Sequence, residues 1–246
     1  FSRVTYIQVE DSAKALAEIA AAWYDYPSRQ LQLVGITGTN GKTTVATLLY
    51  NTVRKLGFAA GLLSTVSNYV NDESYPTTLT TLDAISLNKY LRKMVDAGCE
   101  YAFMEVSSHA IHQHRTHFLE FVGGVFTNLT QDHLDYHKNM LDYLNVKKQF
   151  FDNLPKSAFA LTNVDDKNGK VMLQNTKASQ YTYAVKKLGD YKARIFEKHF
   201  DGTDIEINGT ELTVQFVGVF NVYNLLAVYG TAVLLGLPAD EVLVTL

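Results

Sequence analysis

Residues 34–44 read VGITGTNGKTT, with three glycines, one lysine and four threonines between an apolar stretch and a segment of helical periodicity. Where a glycine-rich loop opens a helix, the unpaired N–H groups of the first turn and a lysine charge attract phosphate oxygens. The usual pattern, G-x-x-x-x-G-K-[ST], asks for glycine at 36. This chain has Ile36, and Gly35 lies one residue early. The strict pattern fails but its context holds: a β-rich run leads in, Gly38 and Gly41 free the backbone, and a helix follows Lys42. The loop Gly38, Thr39, Asn40, Gly41, Lys42, Thr43 and Thr44 is therefore expected to bind nucleotide phosphate, with the Thr43 hydroxyl on Mg²⁺. The bland alternative is a strand-to-helix turn that binds nothing.

Two further side chains could join that chemistry. Glu105 closes the apolar run YAFMEV, so it should stand at the carboxyl end of a strand, where a carboxylate can hold Mg²⁺; alternatively it caps the next segment. Lys147 lies in a helical stretch with Tyr143, Leu144, Phe150 and Phe151 three or four residues away. Such a lysine can pack its stem and send its ammonium to water. Desolvation can instead lower its pKa, and a neutral amine can add CO₂ to become a carbamate. Lys148 should point elsewhere.

Six of the seven histidines fall between 109 and 137. The spacing of His109, His112, His114 and His117 would suit zinc, but Cys99 is the only cysteine and offers no thiolate cluster. These four are read as scaffold or surface. No Ser-His-Asp or Cys-His arrangement stands out in the sequence. A threonine-rich loop, TTLTT at 77–81, precedes a helix expected from Asp83 to Gly98.

The elements that must position these groups alternate. LQLVGIT, YAFMEV, VGGVFTNL and SAFALTNVDD are apolar runs of strand length. TTVATLLYNTVRKLG carries Val45, Leu48, Leu49, Val53 and Leu56 on one helical face, and SAKALAEIAAA and FNVYNLLAVYGTAVLLGLP are also helical. This is an α/β protein whose mostly parallel sheet has helices on both faces. TDIEINGTELTVQF alternates around Asn208-Gly209, a hairpin signal, so a small antiparallel β element should sit on that sheet.

The 246 residues are 47% hydrophobic and 19% charged, enough for a full core. A net charge of −3 gives no basic excess for nucleic acid. No apolar run approaches the roughly 18 residues of a membrane span, so neither partner is expected and a cytoplasmic location is the default. The chain opens on Phe1 and stops at DEVLVTL, which reads as a fragment of a longer protein.

GITGTNGKTT resembles the ATP loop of the Mur ligases and folylpolyglutamate synthetases, whose version carries this shifted glycine. EVSSHAIHQHR (105–115), FTNLTQDHLDYH (126–137), YLNVKK (143–148), NVDD (163–166) and FNVYNLLA (220–227) resemble the Mur ligase branch that extends UDP-MurNAc-L-Ala-D-Glu. The resemblance implies a bacterial, ATP- and Mg²⁺-dependent amide-bond ligase of peptidoglycan synthesis. Its substrates would be UDP-MurNAc-dipeptide and a diamino acid, either meso-diaminopimelate or L-lysine; a monomer is expected. It assigns Mg²⁺ to Thr43, Glu105, His133 and a carbamylated Lys147, with Lys42 on phosphate. It assigns the acceptor to Thr80, Thr81, Ser107, Gln113 and Arg115, and places Asn221 near adenine, where the alternative is a helix cap. Thr77-Thr78 competes with Thr80-Thr81 because the family's Thr-Thr-Pro is here Thr-Thr-Leu. Asp165 and Asp166 match the pattern without a role. Residues 1–30 would be the tail of an N-terminal UDP-binding domain with its linker, and 31–246 the central ATP-binding domain, the C-terminal domain being absent. Another ligase of the same superfamily, or a nucleotide-binding module that does not ligate, is the competing reading.

Overall fold

The computed structural model describes residues 5–132 and 136–246. Among them eleven strands form one sheet. In chain order they are β1 (Gln32–Thr37), β2 (Ala60–Leu63), β3 (Asn68–Val70), β4 (Glu73–Tyr75), β5 (Tyr101–Glu105) and β6 (Gly123–Phe126), followed by β7 (Phe159–Asn163), β8 (Ser179–Ala184), β9 (Tyr191–Lys198), β10 (Thr203–Ile207) and β11 (Thr210–Val214). Across the sheet the order is β11-β10-β9-β8-β7-β6-β1-β5-β2-β3-β4. The strands are parallel from β2 to β9 and antiparallel at both edges. β5 and β6 follow one another in sequence yet flank β1 on opposite sides. Such a reversal opens a crevice at the carboxyl ends, where ligands of open sheets bind.

The helices are α1 (Ser12–Trp23), α2 (Lys42–Lys55), α3 (Ala84–Asp96), α4 (Ser108–His112), α5 (Met140–Asp152), α6 (Gly169–Met172), α7 (Val219–Leu234) and α8 (Ala239–Thr245). Side chains alternate across each strand, so the sheet feeds two cores. Val34, Ile36, Phe103, Val125 and Leu161 pack with α2 and α7. Leu33, Ala102, Met104, Phe126 and Ala160 pack with α3 and α5. Both faces are covered, as a parallel sheet requires.

One close approach sets the site. A Cβ on Gly35 would lie 2.6 Å from Phe150 Cζ, and one on Gly124 would lie 2.8 Å from Phe150 Cε1. Two glycines on neighbouring strands thus let α5 settle on the sheet, one turn beyond Lys147.

The expected hairpin is present, with Asn208 and Gly209 at φ 46° and 91°. It extends the sheet edge through β9, however, and does not lie on a face. A second antiparallel edge, β3–β4, was not anticipated, because strands of three residues show no periodicity. Asn221 is not the cap of α7; that position is Gly218.

Candidate active site

Beyond Thr37 the chain turns through Gly38 (φ 148°) and Gly41 (φ 88°) into α2. Any side chain at Gly38 would collide with Thr127 Oγ1, and a Cβ on Gly41 would lie 2.5 Å from Asn224 Oδ1. The segment after β6 holds the loop's shape. Thr39 N donates to Asn128 O at 2.8 Å and Asn40 N to Asn128 Oδ1 at 3.0 Å. Thr127 Oγ1 and Asn128 Nδ2 both donate to Asn40 O, at 2.6 and 3.0 Å. No side chain among the described residues caps α2, so its first-turn amides are available to an anion. Lys42 Nζ folds back onto its own loop, donating to Thr39 O at 2.8 Å and Gly38 O at 3.0 Å. Thr43 is half-buried in the first turn of α2.

Lys147 comes to the same carbonyl from α5. Its side chain is 1% exposed, and Nζ donates to Gly38 O at 3.0 Å while lying 4.7 Å from the Tyr143 ring centroid. Burial holds its pKa well below the ordinary lysine value, and the Lys42 charge pushes the same way, opposed by Asp132. Burial also lowers Lys42, against the pull of Glu105 and Asp132. Two lysines sharing one acceptor disfavour a second positive charge there, most strongly at the deeper Lys147. Lys148 points elsewhere, to Asp152 at 2.5 Å.

Glu105 ends β5 and is 1% exposed. Its Oε1 accepts from Thr65 N at 2.7 Å and Thr65 Oγ1 at 3.0 Å, but Oε2 is buried with no hydrogen-bond partner. An orphaned, buried carboxylate oxygen fits a hard divalent cation, which takes oxygen ligands. His133 lies outside the described residues.

A separate pocket of about 280 Å³ is lined by Lys42, Leu79, Thr80, Thr81, Ser107, His109 and Arg115. Thr81 Oγ1 donates to Glu105 O at 2.8 Å and accepts from Ser107 N at 3.0 Å, tying this loop to the end of β5. Ser107 caps α4. Arg115 reaches Thr81 O at 2.8 Å, and its Nε and Nη2 both donate to Gln113 Oε1, at 2.9 and 2.5 Å. That paired donation is the geometry a carboxylate would accept in place of the amide. Thr77 instead closes a local turn onto Leu79 O, which favours Thr80-Thr81 as the pocket pair.

On the other side of the loop a pocket of about 660 Å³ is lined by Asn40, Gly41, Thr44, Asn128, Tyr223 and Asn224, among others. Asn224 lines it and Asn221 does not; Asn221 Nδ2 binds Val217 O at 2.9 Å. Asp165 has structural work, accepting from Val185 N, Lys186 N, Lys187 N and Tyr223 OH. Asp166 accepts from Leu129 N at 2.9 Å. Sequence reasoning passed over Thr127, Asn128 and Asn224. All three stand inside quoted motifs, but their partners lie far along the chain and leave no local spacing to read. Among the described residues the one histidine–carboxylate grouping close enough for a metal is Glu197, His199 and Asp204, on the β9–β10 hairpin, so the 109–117 histidines form no zinc cluster with one another.

A mostly parallel, doubly covered sheet whose central strand ends in a glycine-rich loop, with a pocket on either side of that loop, defines an α/β protein of the open, doubly wound class. Within that class, residues 36–232 match the family model for the Mur ligase middle domain, and the chain belongs to the Mur ligase family. It is 60% identical over 244 residues to the UDP-N-acetylmuramoyl-L-alanyl-D-glutamate–2,6-diaminopimelate ligase of Parabacteroides distasonis, covering 99% of this chain and 50% of that one. The Bacteroides fragilis enzyme of the same name is 58% identical over 243 residues, again covering 99% and 50%. A solved structure of a ligase with that name superposes with a TM-score of 0.83 at 26% identity, covering 93% of this chain and 49% of the other. MurF from Acinetobacter baumannii, at 18% identity and a TM-score of 0.76 over 98% of this chain and 50% of its own, shares the fold. The chain thus spans about half the length of the curated relatives it matches.

Proposed function

We propose that this chain is the ATP-binding part of a ligase that adds 2,6-diaminopimelate to UDP-MurNAc-L-Ala-D-Glu. The observation that carries this is the placement of Lys42. Its helix N-terminus borders the 660 Å³ pocket, which suits a nucleotide, while its side chain borders the 280 Å³ pocket, which suits the acceptor's carboxylate. A γ-phosphoryl group held by the loop amides and Lys42 would face a carboxylate held by Arg115, Ser107 and Thr81.

The reaction then runs in two steps. The acceptor's D-glutamyl side-chain carboxylate takes the γ-phosphoryl of ATP, releasing ADP and giving an acyl phosphate. The amine of the diamino acid attacks that carbonyl, forming the amide and releasing phosphate. Positioning and charge neutralisation dominate such a transfer, so no side-chain nucleophile is needed. Magnesium, when bound, would neutralise phosphate charge, held by Glu105, Thr43, His133 and Lys147 as its carbamate. Lys147 becomes that extra carboxylate by adding CO₂ to its neutral amine, with loss of a proton. The choice of diaminopimelate over L-lysine rests on the names of the relatives at 57–60% identity. Residues 1–30 are read as the tail of a preceding UDP-binding domain, and a cytoplasmic bacterial location goes with the substrates.

The test incubates the full-length protein with Mg·ATP, UDP-MurNAc-L-Ala-D-Glu and a pool of amino acids, and weighs the product. A gain of one diaminopimelate residue is expected. An intact acceptor with every amino acid would refute the ligase reading.

A further inference from the structure

His137 lies in FTNLTQDHLDYH, but the proposed chemistry gives it no task. It is 2% exposed, with a polar partner at each ring nitrogen and aromatic rings around it, Tyr136 among them at 5.0 Å between centroids. Nε2 lies 2.9 Å from Ser108 Oγ, Nδ1 lies 3.6 Å from Asp142 Oδ2, and the ring packs on Tyr143 with centroids 5.0 Å apart at 34°. The three polar groups form a serine–histidine–carboxylate line, yet Ser108 is only 1% exposed, so no substrate can reach its hydroxyl. A nucleophilic role is excluded by burial, and the line must act on structure.

Its ends show what it joins. Ser108 begins α4 directly after Ser107, which caps that helix and touches Thr81 of the acceptor pocket. Asp142 lies in the first turn of α5, anchored by the cap Asn139. Tyr143, fully buried beneath the imidazole, places its hydroxyl 3.3 Å from Thr39 Oγ1 in the glycine-rich loop and its ring 4.7 Å from Lys147 Nζ. A single imidazole therefore spans the acceptor-side turn, the helix that carries Lys147 and, through Tyr143, the phosphate loop. A flat ring with a polar atom on each side can bridge two helices and still stack on a tyrosine.

We propose that His137 is a positioning residue that locks the Ser107–Ser108 turn to α5, setting the acceptor-binding groups in register with Lys147 and the loop. This deepens the ligase reading and rests on it for its consequence in turnover. The geometry itself is testable separately.

Ser108→Ala removes one hydroxyl, and His137→Phe keeps the ring but removes its polar atoms. Both are compared with their double variant and with His137→Gln, whose amide reaches the Nε2 position. In the full-length protein, amide exchange across 107–111 should quicken about tenfold in each single variant, with the thermal midpoint of nucleotide-bound protein little changed. The kcat should fall by about ten- to a hundredfold while KM for ATP stays within about twofold. The double variant should be no worse than the poorer single one, and His137→Gln should recover most of the loss. Unchanged exchange and kcat, losses that multiply in the double variant, or a rise in KM for ATP that tracks a falling midpoint would each overturn the inference. Faster, coupled exchange in the variants of a protein whose wild type ligates no acceptor would support the lock and refute the ligase reading alone.

Discussion

At the scale of single residues the site is organised around one carbonyl, that of Gly38, which Lys42 and Lys147 both approach at 3.0 Å. Replacing Lys42 by Ala should lower ligation by at least about 10²–10³-fold, the range for losing one preorganised charge donor, with folding retained. Steady-state rates of the full-length variant check this, and retained activity would remove the phosphate-loop role. Lys147 makes a prediction about pH. Its folded pKa lies well below the 10.5 of an unfolded lysine. Between those two values the unfolded chain binds more protons than the folded one, so unfolding free energy rises with pH across that window. The penalty for the buried charge is complete below the folded value. In CO₂-free buffer Lys147→Met should flatten this slope, leaving the smaller share due to Lys42, whose pKa is shifted the same way. Denaturant titrations at several pH values measure it, and equal slopes in the two proteins would show that the lysine is solvated.

At the scale of elements the question is what holds α5 where Lys147 can reach the loop. Gly35 answers it: its missing side chain is filled by the edge of Phe150, itself wedged against Phe121 at 5.0 Å between ring centroids. Gly35→Ala should cost about 1–3 kcal/mol through overpacking and should weaken nucleotide binding, because it lifts the helix that carries Lys147. Gly209→Ala is the control. Its φ of 91° disfavours any side chain and should cost about 1–2 kcal/mol, yet no atom lies within 4 Å of the new Cβ and the hairpin is remote from the loop. Calorimetry should find nucleotide affinity lowered in the first variant and unchanged in the second. These two glycines also show what a sequence reveals. The turn at Asn208-Gly209 was legible because its signal is local, as were the strands and helices that alternate around Lys42, Glu105 and Lys147. Gly35 counted only as a misplaced motif residue, since its reason lies 115 positions away in Phe150. The same holds for Asn128 beneath the loop and for the Ser108–His137 contact, each a pairing across the crevice that no periodicity records.

At the scale of the whole molecule, the two pockets differ in a way that bears on what the chain does alone. The pocket proposed for the nucleotide, at about 660 Å³, falls within the roughly 300–1,000 Å³ that encloses most of a small ligand. The pocket proposed for the acceptor, at about 280 Å³, can hold a terminal carboxylate and little of a nucleotide-sugar dipeptide. Among the described residues that pocket accounts for only a small part of the proposed substrate, and the curated relatives are about twice as long as this chain. An outward stripe on α1, with Leu16 at 45%, Ile19 at 59% and Trp23 at 81% exposure, recurs at helical spacing and is the kind of face that further chain covers. Expressed by themselves, residues 1–246 should therefore bind Mg·ATP weakly and form no amide from UDP-MurNAc-L-Ala-D-Glu and diaminopimelate. Equilibrium dialysis with labelled ATP and mass analysis of the acceptor measure the two halves of that statement. Nucleotide binding without ligation would place phosphate recognition in this chain and acceptor capture largely outside it. Ligation at full rate by this chain alone would mean that the small pocket and its arginine suffice to hold the acceptor.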